Sequence, residues 1–332
     1  MARILFVTWD GGGNVPPALG IATELRNRGH RVRFLGHCQQ RQQIESRGFP
    51  FTSFRHARPW QSTTAHPGII GLYAYLAVFT DPGPGIDLVD TVTEEPADVV
   101  VIDCLLYGAI AAAERTRLGL VTTERDLDPA GRRALPPPIH YTGVVPHPMP
   151  PTPTPVGERT PLILVSLSST NFRGQRRVLQ HVLDALHGVP ARTVVTTGTS
   201  VDPTALTAGP DTEIHGYLDH EQILPNATLV IGHGGHDTTM RALAHDIPLI
   251  VLPMHPMLDQ KMIGRTLEGH GVARCLRKNA RTDVIRAAAD DLLTEGPHRT
   301  AVSDLGARIR SHNGATYAAD LIEHLPHRQA VG

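Results

Sequence analysis

The sequence predicts an α/β protein built from two parallel-sheet units, and three observations carry that expectation. Short apolar runs alternate with amphipathic segments from end to end, the pattern of strand–helix–strand crossovers. The pattern breaks once, at a stretch with eleven prolines between residues 129 and 161, and then restarts. Several apolar runs also end in a carboxylate, a hydroxyl or an imidazole, and in parallel sheets ligands bind beyond the carboxyl ends of the strands.

The first run, Ile4-Leu5-Phe6-Val7-Thr8-Trp9, stops at Asp10-Gly11-Gly12-Gly13. A helix then starts near Pro16-Pro17, since proline suits a first turn. Its inner face is Leu19, Ala22 and Leu25, and Gly29 ends it. Residues 31–35 read as the next strand, joined by a right-handed crossover. Residues 98–103 form a further buried strand ending in Asp103, followed by an alanine-rich helix over 108–117. The proline-rich stretch fits neither helix nor central strand and behaves as a stiff spacer. This divides the chain into a first domain over 1–145, a linker over 146–160 and a second domain over 161–332. In the second domain, residues 162–167 read as a strand and an amphipathic helix runs to about 186. Strands follow at 193–197, 213–217 and 229–231. A helix opens at Gly234-Gly235-His236, 249–252 is a strand, and helices finish the chain. The strand-end residues of interest are Asp10, Asp103, Ser166, Ser168, Thr197, His233 and His255.

Composition sets bounds on function. With 332 residues, 41% hydrophobic and 19% charged, the chain has material for two cores. A net charge of −1 gives no reason to expect a nucleic-acid or anionic-membrane partner. The longest apolar runs fall far short of the roughly 20 residues that span a bilayer. The N-terminus runs straight into a strand with no leader pattern. Cys38, Cys104 and Cys275 are three, widely spaced and without a CxxC pair, which fits a reducing compartment. The expected location is therefore the cytoplasm, as a monomer or homodimer. The 19 histidines show no close ligand spacing with cysteine support, so no metal is expected.

The densest signal is Ile231-Gly232-His233-Gly234-Gly235-His236-Asp237-Thr238-Thr239, followed by Pro253 and then Asp259-Gln260. A strand delivers a histidine and two glycines to the start of a helix. Exposed N–H groups and the positive helix end there form an anion site. Glycine lets a phosphate approach the backbone, and Thr238 and His233 add donors. Asp259 and Gln260, at the next strand-to-helix junction, suit adjacent hydroxyls, with Asp accepting and Gln doing both. Each half has a plainer reading, a tight turn for the glycines and an N-cap for Asp259. Their joint occurrence at this spacing favours a sugar diphosphate.

On these residues the chain resembles the GT-B glycosyltransferases, and more closely the actinobacterial enzymes that decorate natural products with UDP- or TDP-sugars. The resemblance implies two Rossmann-like parallel-sheet domains facing across a cleft. It also reaches residues 98–103 with Gly108-Ala109, and the serine-rich loop Ser166-Leu167-Ser168-Ser169. By the same resemblance Ser168, Ser169 and Thr197 line the donor site, and Tyr217 stacks on the base. His233, Gly234, Gly235 and Thr238 contact the diphosphate, and Asp259 and Gln260 contact the sugar. It further implies inverting, metal-independent transfer to a small-molecule acceptor, with the nucleotide sugar a co-substrate and no cofactor. Asp126-Leu127-Asp128, a letter-match to a metal motif, reads as surface.

Three departures accompany the resemblance. The family's general base falls in a segment that here reads Gly13-Asn14-Val15-Pro16-Pro17-Ala18-Leu19, and Asn14 takes no proton at neutral pH. Asp10, four residues earlier, becomes the leading candidate base. Asp103, which resembles the carboxylate that orients the family's histidine, becomes the second. Arg241 stands where relatives often carry a glutamate for the ribose. Several tens of residues of the relatives' acceptor cleft are absent between Leu120 and Val121. Two alternatives on the same fold remain, a donor-binding protein with little transferase activity and a nucleotide-sugar epimerase. A nicotinamide enzyme is disfavoured, because Gly11-Gly12-Gly13-Asn14-Val15-Pro16 does not complete G-x-G-x-x-G.

Overall fold

A computed structural model describes residues 1–64, 68–113, 118–134, 138–145, 160–168, 170–256 and 258–325. The proposed linker is outside these except for Thr160. In chain order the first half forms β1 (Arg3–Val7), α1 (Val15–Asn27), β2 (Arg31–Gly36), α2 (Arg41–Glu45) and β3 (Phe51–Ser53). It continues with α3 (Gly68–Phe79), α4 (Gly83–Glu94), β4 (Val99–Ile102) and α5 (Tyr107–Ala112). The four strands make one parallel sheet in the order β3-β2-β1-β4. Its central strand is apolar without alternation because both faces are covered. Ile4 and Phe6 pack with Leu19, Ala22 and Leu25 of α1, while Leu5 and Val7 pack with Trp9, Trp60, Leu88 and Leu106. Each of these four strand residues is at most 1% exposed, worth roughly 1.5–3 kcal/mol of burial apiece.

Between the halves, β5 (Gly119–Val121) and β6 (Ile139–Tyr141) pair in parallel as a separate two-stranded sheet. So the proline-rich stretch does contain a strand, a three-residue one away from both main sheets. The second half opens with β7 (Leu162–Ser166), α6 (Gln175–Leu186), β8 (Arg192–Thr196), β9 (Thr212–His215) and α7 (His220–Ile223). Then come β10 (Leu229–Gly232), α8 (His236–Ala244), β11 (Leu249–Val251), α9 (Gln260–Gly269) and β12 (Ala273–Cys275). The six strands form a parallel sheet ordered β12-β11-β10-β7-β8-β9. Ile163, Val165 and Ile231 face one core, Leu164 and Val230 the other.

Three helices end the chain, α10 (Thr282–Leu293), α11 (Pro297–Ser311) and α12 (Gly314–Glu323). The last does not stay with the half that precedes it. Ala315, Ala318, Ala319 and Ile322 enter the core around α1. Arg28 at the end of α1 then bonds Asp320 at 2.6 Å and Glu323 at 2.7 Å. The expected 161–332 unit thus sends its final helix to the first sheet, a long-range contact that no local pattern announces. Among the described residues no helix is long and apolar enough to cross a membrane.

Candidate active site

Register brings the candidate residues of the second half together. Gly232 pairs with Ser166 on one side and with Val251 on the other. The loops after β7, β10 and β11 therefore leave the sheet side by side. They carry Ser168, then His233-Gly234-Gly235, then the segment ending in Asp259.

The glycine turn is built by close contacts. Gly234 has φ +85°, and a Cβ there would lie 2.8 Å from the Gln260 carbonyl oxygen and 2.9 Å from Val251 Cγ1. Only glycine lets the start of α9 come so near. Gly235 has ordinary extended φ and ψ of −66° and 134° as the N-cap of α8. A Cβ on it would meet the His233 ring, 2.5 Å from Cε1 and 2.6 Å from Nε2. The imidazole of His233 thus lies over the bare N-cap, against the start of a nine-residue helix with Thr238 in its first turn. No side chain caps α8, so its first N–H groups keep their donors for a ligand.

Burial holds the His233 imidazole neutral, its pKa brought down to about 4, and its bond to the Leu167 backbone opposes that only weakly. A neutral ring has one N–H donor and a protonated one has two, one to face the Leu167 backbone and one for a phosphate oxygen. His236, the first residue of α8, is brought to about 4 by burial as well. Phe172, which no sequence pattern singles out, has its ring 6.2 Å from that of His233 and 6.0 Å from that of His255. It belongs to an irregular loop, where no periodicity marks an aromatic as a site wall.

Other candidates sit less simply. Asp259 occupies the N-cap position of α9 but makes no capping bond, which removes its plainer reading. Gln260 is 3% exposed and its Oε1 accepts from Met254 N at 2.7 Å and His255 N at 3.1 Å. Its carboxamide oxygen braces the β11–α9 loop, so the expected acceptor role is already taken. Ser168 Oγ accepts from Thr170 N at 3.0 Å, and Ser169 lies outside the described residues. Thr197 is 1% exposed and its hydroxyl turns to the Gly198 carbonyl, so it offers no face to a ligand. Tyr217 is 83% exposed, with its ring free for stacking.

The first half supplies a second cluster. Val7 pairs with Ile102, so Asp10 and Asp103 leave neighbouring strands at the same edge. Asn14 Nδ2 donates to Asp103 Oδ2 at 2.8 Å and to the Trp9 carbonyl at 3.0 Å. Asp103 thus orients an asparagine, and its Oδ1 accepts from Leu105 N at 3.0 Å. Asn14 Oδ1 and Trp9 Nε1 are buried with no hydrogen-bond partner among the described residues. Both border Gly11, where a Cβ would lie 2.8 Å from Asn14 Oδ1 and 2.9 Å from Trp9 Cε2. Asp10 does not bond the glycine amides, as a simple turn former would. Its Oδ2 accepts from Ser62 N at 2.9 Å and its carbonyl from the Trp60 indole at 2.8 Å. The amides of Gly11 and Gly13 bond Trp9 and Gly11 carbonyls instead.

Residues 176–309 match the glycosyltransferase family 28 C-terminal domain. The chain is 22% identical to 4'-demethylrebeccamycin synthase of Lentzea aerocolonigenes, over 98% of this chain and 99% of the relative. That alignment is 422 residues long against a chain of 332, so several tens of the relative's residues have no counterpart here. Identity to NDP-glycosyltransferase YjiC of Bacillus licheniformis is 28% over 165 residues, 49% of this chain and 41% of that protein. The chain thus spans less than half the length of that second relative. In fold it superposes on the glycosyltransferase of kitacinnamycin with a TM-score of 0.81 at 21% identity, covering 98% and 99% of the two chains. It superposes on the glycosyltransferase VinC, solved with dTDP, at 0.74 and 15% identity, covering 97% and 98%. The chain has the GT-B fold and resembles the natural-product glycosyltransferases along its length.

Proposed function

We propose that this chain, as a glycosyltransferase of natural-product type, moves a sugar from a UDP- or TDP-sugar to a small-molecule acceptor with inversion and without a metal. The observation that carries the reading is the uncapped start of α8 under the His233 ring, with Thr238 in its first turn. On this reading residues 161–332 hold the donor and 1–145 the acceptor, joined through 146–160, and the protein works in the cytoplasm.

The acceptor oxygen attacks the anomeric carbon as the bond from that carbon to the diphosphate breaks. Charge developing on the departing β-phosphate falls on the helix N–H groups, the Thr238 hydroxyl and His233. The phosphate dianion itself draws the second proton onto His233, because a nearby opposite charge favours the charged imidazole. Asp259 accepts from sugar hydroxyls, and the Tyr217 ring covers the base. Asn14 Oδ1, which has no hydrogen-bond partner among the described residues, accepts from a neighbouring hydroxyl of the acceptor and orients it, leaving the attacking hydroxyl's own proton for a base. The proton leaves to a carboxylate, Asp10 first and Asp103 second. No cofactor takes part.

A second reading is favoured by one observation. Both oxygens of Asp103 and one of Asp10 already accept hydrogen bonds, which leaves a single Asp10 oxygen open for a proton among the described residues. That describes a nucleotide-sugar-binding protein with weak transfer. Incubation with UDP- and TDP-glucose and phenolic acceptors separates the readings. Free nucleotide with glycosylated acceptor supports transfer, an altered sugar on the nucleotide indicates an epimerase, and binding alone indicates the second reading.

A further inference from the structure

His37 follows β2 directly and is 4% exposed. Its Nδ1 accepts from Asp10 N at 3.3 Å, which ties the end of β2 to the loop after β1. Burial holds the imidazole below its ordinary pKa, against the opposing pull of its bond to the Arg58 backbone and of the Asp10 and Asp81 carboxylates. The ring is therefore neutral. With Nδ1 accepting, its one proton lies on Nε2, the nitrogen left to bond the Arg58 backbone. Gln40, 2% exposed, fixes where His37 stands. Its Oε1 accepts from His37 N at 2.9 Å, and its Nε2 donates to Thr8 Oγ1 and to the Trp9 carbonyl, both at 3.0 Å.

Asp10 is thereby held from outside its own loop at three of its four polar atoms. His37 takes the amide N–H, the Trp60 indole donates to the carbonyl at 2.8 Å, and Ser62 N donates to one carboxylate oxygen at 2.9 Å. An aspartate that only shaped a turn would spend its carboxylate on amides a residue or two ahead. Here the bonds converge on the residue itself. They leave Oδ1 as its one polar atom with no hydrogen-bond partner among the described residues. A group that takes a proton in the transition state needs this arrangement, a fixed carboxylate with one oxygen open.

Resting on the reading of Asp10 as the base, we propose that His37 is the positioning residue for that base, its Nδ1 holding the Asp10 backbone so that Oδ1 stays open to the proton of the attacking hydroxyl. That proton passes to Oδ1 as the acceptor oxygen bonds the anomeric carbon and the bond from that carbon to the diphosphate breaks. His37 touches no reacting atom and exchanges no proton in the step.

Transfer from UDP- and TDP-glucose to phenol and to 4-nitrophenol by the full-length protein tests this, because the far more acidic 4-nitrophenol sheds its proton with little help from a base. His37→Gln keeps a donor for the Arg58 backbone but removes the acceptor from Asp10 N, whereas His37→Asn puts an amide oxygen where Nδ1 was. In His37→Gln, kcat with phenol should fall about ten- to a hundredfold, while kcat with 4-nitrophenol and the affinity for UDP and TDP change little. His37→Asn should keep most of the turnover on both. The ratio of the two rates within one variant does not depend on how much of it is folded. Nitrogen NMR of the unaltered protein at neutral pH should find the His37 proton on Nε2. An undiminished rate in His37→Gln, equal losses in the two variants, equal losses on the two phenols, or a ring protonated on Nδ1 alone each overturns the proposal. Full turnover of Asp10→Asn on phenol overturns the reading of Asp10 as base, and no transfer to either phenol by the unaltered protein overturns the transferase reading.

Discussion

Replacing Gly235 by alanine should cost donor affinity far more than it costs the fold. The backbone there, at φ −66° and ψ 134°, is one that alanine adopts freely. The new Cβ would fall 2.5–2.6 Å from the His233 ring, so the imidazole must swing away from the start of α8. Losing a hydrogen bond to a charged phosphate removes roughly 1.5–3 kcal/mol, a ten- to hundredfold weaker Kd. Gly234→Ala should behave in the opposite sense. Its φ of +85° costs an L-residue roughly 1–2 kcal/mol, and the Cβ meets a carbonyl of the backbone that cannot swing aside. Gly13→Ala, with nothing within 4 Å of the added carbon, serves as the control. Thermal unfolding and calorimetry with UDP and TDP on the three variants give the test. If Gly235→Ala binds both nucleotides as the unaltered protein does, then His233 does not hold the diphosphate from its place over Gly235.

Four further outcomes follow from the same geometry. Nucleotide binding should take up a proton near pH 6, because phosphate raises the His233 pKa from about 4, and calorimetry in buffers of different ionisation enthalpy reads that uptake directly. Burial also holds His220 and His236 neutral to about pH 4 against an ordinary value of 6.5. The unfolded chain therefore binds protons first, and stability should fall from about pH 6.5 to 4, by up to roughly 1.4 kcal/mol per pH unit for each group; a flat denaturant midpoint across that range refutes it. Asp10→Asn should lower turnover by about 10²–10⁴-fold with little change in donor affinity, whereas full activity there together with a faster Asn14→His would mean that Asp10 is not the base. Transfer should survive EDTA, and activity lost to the chelator and restored by magnesium or manganese contradicts the metal-free reading.

Much of this was legible in the residues, and the reasons differ from element to element. β1, β7 and β10 are apolar without alternation because helices cover both faces of each sheet, and that pattern is local. The His233–Gly235 turn was visible because its three residues are contiguous. By contrast, β3, β5 and β6 are three residues each, too short for periodicity to show. α3 reads Gly-Ile-Ile-Gly-Leu-Tyr-Ala-Tyr-Leu-Ala-Val-Phe, apolar on every side, so no helical face stood out. Asn14 and Asp103 were each named, but their bond joins residues 89 apart. Asp237 meets Arg241 by the i,i+4 spacing of α8, whereas Asp219 and Glu221 reach it from the start of α7, a long-range approach that no local pattern announces. Thr197 matched a pattern in sequence, yet its hydroxyl turns inward, a rotamer choice that sequence does not carry.

The proposed donor site seats a nucleotide diphosphate on the start of α8, with His233 over it. The most direct measurement is the affinity of His233→Ala for UDP and TDP by calorimetry, beside its thermal unfolding. Binding should weaken by about 1–3 kcal/mol for both nucleotides, with the cooperative unfolding transition retained. Unchanged affinity for both in a folded variant would contradict it.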